Sequence, residues 1–98
     1  MSIDVNIGSH SINMANGNFA SLWAILDIDT QDGDGSINAG DLTARIMLAQ
    51  VMGVQERPTV VMGNFINCGM DADYINHRFG AMLALLAQID PGEVVTWW

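Results

Sequence analysis

The sequence predicts an α+β domain in which about three helices pack on one small sheet with an N-terminal β-hairpin. Two observations support this fold class. Short segments near both ends have the pattern of strands, and three segments between them carry apolar residues at helical spacing. The 98 residues are the length of one domain, so a single domain is expected over 1–98. Half of the residues are apolar and only 14% are charged, which is typical of a globular chain.

The hairpin is the first predicted element. Residues 3–7 alternate between apolar and polar side chains, which is the period of a half-buried strand. Gly8 and Ser9 suit a two-residue turn with glycine in the first place. The alternation resumes at Ile12 and Met14, so the two strands are expected to pair.

A helix-loop-helix arrangement is predicted over 17–52. Its first helix follows Asn16 and Asn18, which are residues of the helix-capping type, and ends near Asp27. The apolar residues at helical spacing in this first helix are Phe19, Leu22, Trp23 and Leu26. One face of the first helix is therefore expected to lie on the core.

The second helix of this arrangement is expected over 42–52. Asp41 is a suitable N-cap for it, and Gly53 is a suitable C-terminal stop. Apolar residues from Ile46 onward occupy most sides of the helix. A helix of this composition is either buried in the core or covered by a partner.

The third helix is the clearest one, and Asp71 or Asp73 is expected to cap it. Its apolar stripe consists of Ile75, Phe79, Met82, Leu83, Leu86 and Ile89. Gly80 lies inside this helix, where glycine costs about 1 kcal/mol relative to alanine, so a close packing contact is expected there. Upstream of the helix, 59–62 is predicted to form a short strand and 64–69 is interpreted as irregular.

The C-terminal segment is predicted to be a strand over 94–98, after a turn at 90–92. It ends in Trp97 and Trp98. One of these two tryptophans is expected to pack on the core. The other either packs as well or offers an anchor to a partner.

The charge balance restricts the classes of partner. The net charge is −8, with three arginines and no lysine. Such a chain repels phosphate backbones and anionic lipid headgroups, so neither nucleic acid nor a membrane is an expected partner. A divalent cation or a basic protein surface fits better. Five of the nine aspartates fall in one short segment, at positions Asp27, Asp29, Asp32, Asp34 and Asp41.

Other classes of protein fit the sequence poorly. No apolar stretch approaches the roughly 20 residues of a membrane span, and the N-terminus lacks the pattern of a signal peptide, so a cytoplasmic location is expected. Cys68 is the single cysteine, and its apolar neighbours favour a buried, inert thiol over a nucleophile paired with His10 or His77. With no phosphate-binding glycine loop or nucleophile motif, an enzyme is not expected.

The aspartate-rich segment from Thr30 to Asp41 reads Thr-Gln-Asp-Gly-Asp-Gly-Ser-Ile-Asn-Ala-Gly-Asp. It resembles the calcium loop of the EF-hand family, and more closely its dockerin-type variant, over about a dozen residues and the flanking helices. Ca²⁺ takes 6–8 oxygen ligands at about 2.3–2.6 Å, which carboxylates and carbonyls on a tight loop supply. The same residue types also serve any solvated loop between helices, so a loop without a metal is the alternative.

The resemblance implies a role for each position of the loop. The implied ligands are Asp32, Asp34, the backbone carbonyl of Ser36, Asn38 and, at the close, Asp41. Gly35 would provide the sharp turn, and Ile37 would direct its side chain into the core. The opening position is Thr30, one residue after Asp29, so either residue could open the site. Because Asp41 is shorter than the usual glutamate, Mg²⁺ is an alternative to Ca²⁺.

Two function hypotheses follow from the sequence. The first is a small, non-enzymatic Ca²⁺-binding module with one EF-hand-like loop and a structural role. The alternative is an acidic protein-binding domain without a metal site, such as an inhibitor or an immunity-type partner of a basic protein.

Overall fold

The computed structural model describes residues 2–30, 33–53, 60–62, 65–67 and 71–98. This part of the chain forms three helices, a four-stranded antiparallel sheet and a two-stranded hairpin, which confirms the α+β class. The elements in chain order are β1 (Ser2–Ile7), β2 (His10–Ala15), α1 (Asn16–Ile25), β3 (Gly35–Asn38), α2 (Ala39–Met52), β4 (Val60–Met62), β5 (Phe65–Asn67), α3 (Ala72–Leu86) and β6 (Val94–Trp97).

The four-stranded sheet has the strand order β2-β1-β6-β3. The predicted hairpin is confirmed: Ile7 pairs with His10, and Gly8 between them has a φ of 61°, which glycine adopts without strain. The last strand is inserted between β1 and β3. Two backbone hydrogen bonds between Asp4 and Trp98 extend its pairing with β1. The two terminal strands of the chain are therefore neighbours at the centre of the sheet.

The two faces of this sheet differ in polarity, as strand alternation requires. The inward-facing residues of β1, β2 and β6 are buried and apolar: Val5, Ile7, Met14, Val95 and Trp97. The outward face carries a network of polar side chains. Asn13 donates to the Asp4 carboxylate at 2.8 Å, and Ser11 donates to the Asn6 amide oxygen at 2.7 Å. The helices pack on the apolar face, and on the polar face side chains of β1 and β2 form hydrogen bonds with one another.

An aromatic cluster joins α1 to the central strand β6. The ring of Trp23 lies 4.6 Å from Phe19 and 5.5 Å from Trp97, measured between ring centroids. Gly35 on β3 lies under Trp97, since an added Cβ there would be 2.6 Å from the Trp97 ring. Trp97 is buried, whereas Trp98 is 64% exposed, so one tryptophan packs on the core as predicted.

The third helix follows its sequence prediction closely. The carboxylate of Asp71 accepts a hydrogen bond from the backbone N–H of Tyr74 at 2.7 Å and so caps the helix. The residues of its stripe that are buried are Ile75, Phe79, Met82 and Leu86, while Leu83 and Ile89 are partly buried against them. Among the residues that the structure describes, none provides the close contact expected at Gly80, because none of their atoms outside the helix's own backbone lies within 4 Å of an added Cβ.

The second helix differs from its prediction at its start and agrees with it at its end. The second helix begins at Ala39 with Asn38 as its N-cap, so the prediction of Asp41 as the cap is wrong. Its end at Met52, followed by Gly53 with a φ of 83°, is confirmed. The first helix continues directly from β2 without a side-chain cap. Asn18 donates instead to the Tyr74 hydroxyl at 3.1 Å and so joins α1 to α3.

Two strands correct the sequence interpretation. Phe65–Asn67, interpreted as irregular, pairs with Val60–Met62 as an antiparallel hairpin. Gly35–Asn38, interpreted as part of a loop, is the edge strand β3 and pairs with β6. Both strands are three or four residues long, too short for a period to be read from the sequence. Among the helices that the structure describes, none has the length and hydrophobicity to cross a membrane.

Two glycine variants test this packing. Gly35→Ala is expected to lower the free energy of unfolding by about 1–3 kcal/mol, because the new methyl group collides with the buried Trp97 ring. Gly80→Ala, in open space on α3, is expected to raise it by about 0.5–1 kcal/mol. Chemical denaturation monitored by tryptophan fluorescence measures both values. Equal effects of the two variants would contradict the close approach of Trp97 to β3.

Candidate functional site

The aspartate-rich segment begins where α1 ends. Asp27 adopts a left-handed conformation with a φ of 58°. Its backbone N–H donates a hydrogen bond to the carbonyl of Ala24 at 3.1 Å. The backbone N–H of Ile28 donates to the carbonyl of Trp23 at 2.9 Å. This is a common way for a helix to end, and aspartate tolerates the left-handed region better than most residues do. Asp27 therefore serves the end of the helix and leaves its side chain exposed.

The turn of the segment is at Gly33 and not at Gly35. Gly33 has a φ of 83°, and its N–H bonds to the carbonyl of Thr30 at 3.1 Å. Gly35 lies in β3, where its lack of a side chain makes room for Trp97. The turn that the calcium-loop resemblance assigns to Gly35 is thus wrong. The inward direction that it assigns to Ile37 is confirmed, since this residue packs partly buried against the core.

The predicted ligands at the end of the segment have structural roles. Ser36 and Asn38 lie on β3 opposite residues of β6. The amide oxygen of Asn38 accepts the N–H of Gly40 at 2.9 Å as the cap of α2. The carboxylate of Asp41 lies 3.2 Å from the guanidinium of Arg45 one turn later. The predicted ligand oxygens of Asn38 and Asp41 thus already accept hydrogen bonds from donors of the protein.

The predicted ligands at the start of the segment are Asp29, Thr30, Asp32 and Asp34. Asp29 and Asp34 are exposed and Thr30 is half-buried, whereas Asp32 lies outside the described residues. Over the described ranges, no three or more histidine, cysteine, aspartate or glutamate residues are grouped as a metal site requires. The structure thus brings together the two helices of the predicted arrangement, and the predicted aspartate ligands within the described ranges are not part of such a group.

Arg45 connects α2 to the end of α1. One guanidinium nitrogen donates to the carbonyls of Leu26 and Asp27, at 2.9 and 3.1 Å, and another donates to Asp41. A guanidinium group suits this position because its planar fork serves several acceptors at once. Arg45 was not among the functional residues predicted from the sequence. The signal was present, since Asp41 and Arg45 are four residues apart on one helix.

The second half of α2 exposes large apolar side chains. Ile46 is its last buried residue. Beyond it, Met47, Leu48, Val51 and Met52 are 55%, 59%, 85% and 77% exposed, and these four residues are called the α2 patch below. The sequence predicts that this helix is either buried or covered by a partner. The described part of the chain does not bury the α2 patch.

A groove of about 380 Å³ lies beside the α2 patch, between α2 and the end of α1. Its lining consists of Ile25, Leu26, Asp27, Asp41, Arg45, Leu48, Ala49 and Met52. Most of these residues are apolar, and two are aspartates. The last turn of α2 contains no basic residue to balance the partial negative charge of the helix C-terminus. With Arg45 paired to Asp41, the groove combines an apolar lining with one net negative charge.

The other residues with potential chemistry do not form a site. His10 is exposed on β2 and His77 is exposed on α3, in separate elements of the fold. Cys68, the predicted inert thiol, lies outside the described residues. The groove beside α2 is therefore the feature that merits a functional interpretation.

Two variants separate the contribution of Arg45's hydrogen bonds to the backbone carbonyls from that of its ion pair with Asp41. Arg45→Gln is expected to lower the free energy of unfolding by about 1–2 kcal/mol, because two backbone carbonyls lose a charged donor. Asp41→Asn removes only the half-exposed ion pair and is expected to cost less than about 1 kcal/mol. In about 1 M NaCl the effect of Asp41→Asn should shrink while that of Arg45→Gln persists. If both variants lowered the free energy of unfolding equally and salt abolished both effects, a role for the carbonyl contacts would be contradicted.

In comparisons with known proteins, no family model, no curated protein and no solved structure matches the chain. The resemblance of the aspartate-rich segment to a calcium loop therefore stays a prediction from the sequence.

Proposed function

We propose that this protein is a binding module that recognises a positively charged protein through the α2 patch and the adjoining groove. The single observation behind this proposal is the run of four large apolar side chains, all more than half exposed, on the second half of α2. Single exposed apolar residues are common on protein surfaces, but a contiguous group with a polar rim is typical of an interaction site. Binding, and not catalysis, is the activity that this surface supports.

The apolar side chains provide the free energy of association. Removing a leucine, valine or methionine side chain from water contributes about 1.5–3 kcal/mol. Association also costs translational, rotational and side-chain entropy, so only part of this gain remains as affinity. Leu48 and Met52 are the best candidates for a central contact, because both belong to the patch and also line the groove.

The charge of the protein selects the class of partner. The net charge of −8 attracts cationic surfaces and speeds their association. The one arginine in the groove lining, Arg45, is held by the Asp41 carboxylate and by two backbone carbonyls. Its charge is thereby partly compensated inside the protein. A basic partner is favoured over an acidic or a neutral one.

A photo-crosslinking residue at position 48 tests the proposal in cells that express the protein. We expect adducts with a protein of net positive charge, and fewer adducts when the extract is prepared in about 0.5 M salt, because salt screens the attraction. The matched control places the same residue at Gln50, which is exposed two positions along the helix and therefore lies on another side of it. Mass spectrometry identifies the adducts.

Adducts of equal yield at both positions, or an adduct with an acidic protein, would contradict the proposed site. The absence of any adduct specific to position 48 would contradict it as well.

A second candidate function is divalent-cation binding by the aspartate-rich segment. Two observations favour it. The segment joins two helices, with Ile37 packed inward as the calcium-loop resemblance implies. Asp34 is also exposed, and its carboxylate has no hydrogen bond or ion pair to the residues that the structure describes. Such a site would stabilise the native protein, because the ion binds only the folded state.

Thermal unfolding in EDTA, in millimolar Ca²⁺ and in Mg²⁺ at equal ionic strength tests this candidate. Binding at the segment predicts a rise of several degrees in Tm with Ca²⁺ that Asp34→Ala abolishes. Glu93→Ala is the control, because it removes an exposed carboxylate outside the segment. Equal rises with both ions in all variants would mean that divalent ions only screen the acidic surface. No rise in any variant would exclude this second candidate.

A further inference from the structure

We infer that the occupant of the groove beside α2 is a single amphipathic helix with cationic side chains, contributed by another protein. This inference rests on the proposed function and specifies the form of the partner. It is supported by the arrangement of the apolar side chains, by the negative charge along the groove and by the charge of the whole chain.

The arrangement of the apolar side chains suits a helix. Members of the α2 patch recur at a spacing of four, from Met47 to Val51 and from Leu48 to Met52, so they form two adjacent ridges along the helix. A second helix packs against such ridges by placing its own side chains in the grooves between them. Its apolar anchors would recur every three or four residues.

The other common forms of bound peptide fit this surface less well. A proline-rich segment docks on aromatic side chains, and the described residues that line the groove include none. An added strand needs an exposed sheet edge, and the groove is bounded by α2 and the end of α1. A helix requires only an apolar groove, which is the feature present.

The negative charge of the groove indicates where the cationic residues of the bound helix lie. Asp27, Asp41 and Arg45 line the groove, and because Arg45 pairs with Asp41, these three residues leave one net negative charge, at Asp27. The last turn of α2 has no basic residue, so the helix C-terminus adds partial negative charge beside Val51 and Met52. Lysine or arginine residues that flank the apolar anchors would meet these groups. Their side chains also extend along apolar surface and keep the charge in water, which suits a groove rimmed by carboxylates.

The same charge argues against the other occupants of an apolar face. A second copy of this chain brings its own net charge of −8, so self-association through this face is opposed by repulsion. Anionic lipid headgroups are repelled for the same reason. A cationic helix is attracted by the charge and is also able to cover the apolar side chains.

Two synthetic peptides composed only of leucine and lysine test the inference. In one peptide leucine recurs at helical spacing, and in the other the same residues alternate with the period of a strand. Fluorescence anisotropy of the labelled peptides measures their affinity for the full-length protein. We expect the helical peptide to bind at least about tenfold more tightly. Its helix content, followed by circular dichroism, should increase on binding.

Two variants of the protein locate the site. Leu48→Asp is expected to weaken binding of the helical peptide at least about tenfold, although it adds a negative charge that would favour a cationic ligand. Gln50→Asp adds the same charge on another side of α2 and is expected to leave the affinity unchanged or to raise it slightly. The contrast between the two variants separates apolar docking from general electrostatic attraction.

The outcomes distinguish this inference from the proposed function. If Leu48→Asp weakens both peptides equally, the surface binds cationic chains but does not select a helix, and only this inference fails. If neither variant affects binding, the attraction is purely electrostatic and the proposed function fails with it. If sedimentation shows that the protein alone forms dimers that Leu48→Asp dissociates, the occupant is a second copy and the inference is overturned.

Discussion

The packing of Trp97 is the interaction on which the rest of the structure depends. Its ring contacts Trp23 on α1 and covers Gly35 on β3, while its backbone pairs with both β1 and β3. The indole N–H groups of both tryptophans are buried, with no hydrogen-bond partner in the part of the chain that the structure describes. Each unpaired donor costs about 1–3 kcal/mol. The burial of the two indole rings and the edge-to-face contact between them offset that cost.

This core determines which surfaces remain for function. The helices cover the apolar side of the sheet. On its outward side, side chains of β1 and β2 form hydrogen bonds with one another, and Val94 and Trp98 are exposed. The core reaches along α2 only as far as Ile46. The remaining turns of this helix keep their apolar side chains in water. An exposed apolar surface of that kind lowers the solubility of a protein and is typical of interaction sites, so we connect it with binding.

The aspartate-rich segment illustrates how one composition serves two purposes. Aspartate, asparagine and glycine are the residues of a cation loop, and they are also the residues that end and begin helices. Here Asp27 ends α1, Asn38 caps α2, and Asp41 anchors the arginine that holds the two helices together. Gly33 adopts the left-handed conformation of the turn that the resemblance assigns to Gly35, and Gly35 instead leaves room for Trp97 beside β3.

The sequence by itself determined the elements that arise from neighbouring residues. The N-terminal hairpin, the Asp71 cap, the stripe of α3 and the end of α2 at Gly53 all follow from short-range periodicity and capping, which the sequence displays directly. Only the tertiary structure decided that β3 exists, that Gly35 faces Trp97 and that a groove opens beside α2. These features depend on contacts between residues far apart in the chain, and no local pattern encodes such contacts.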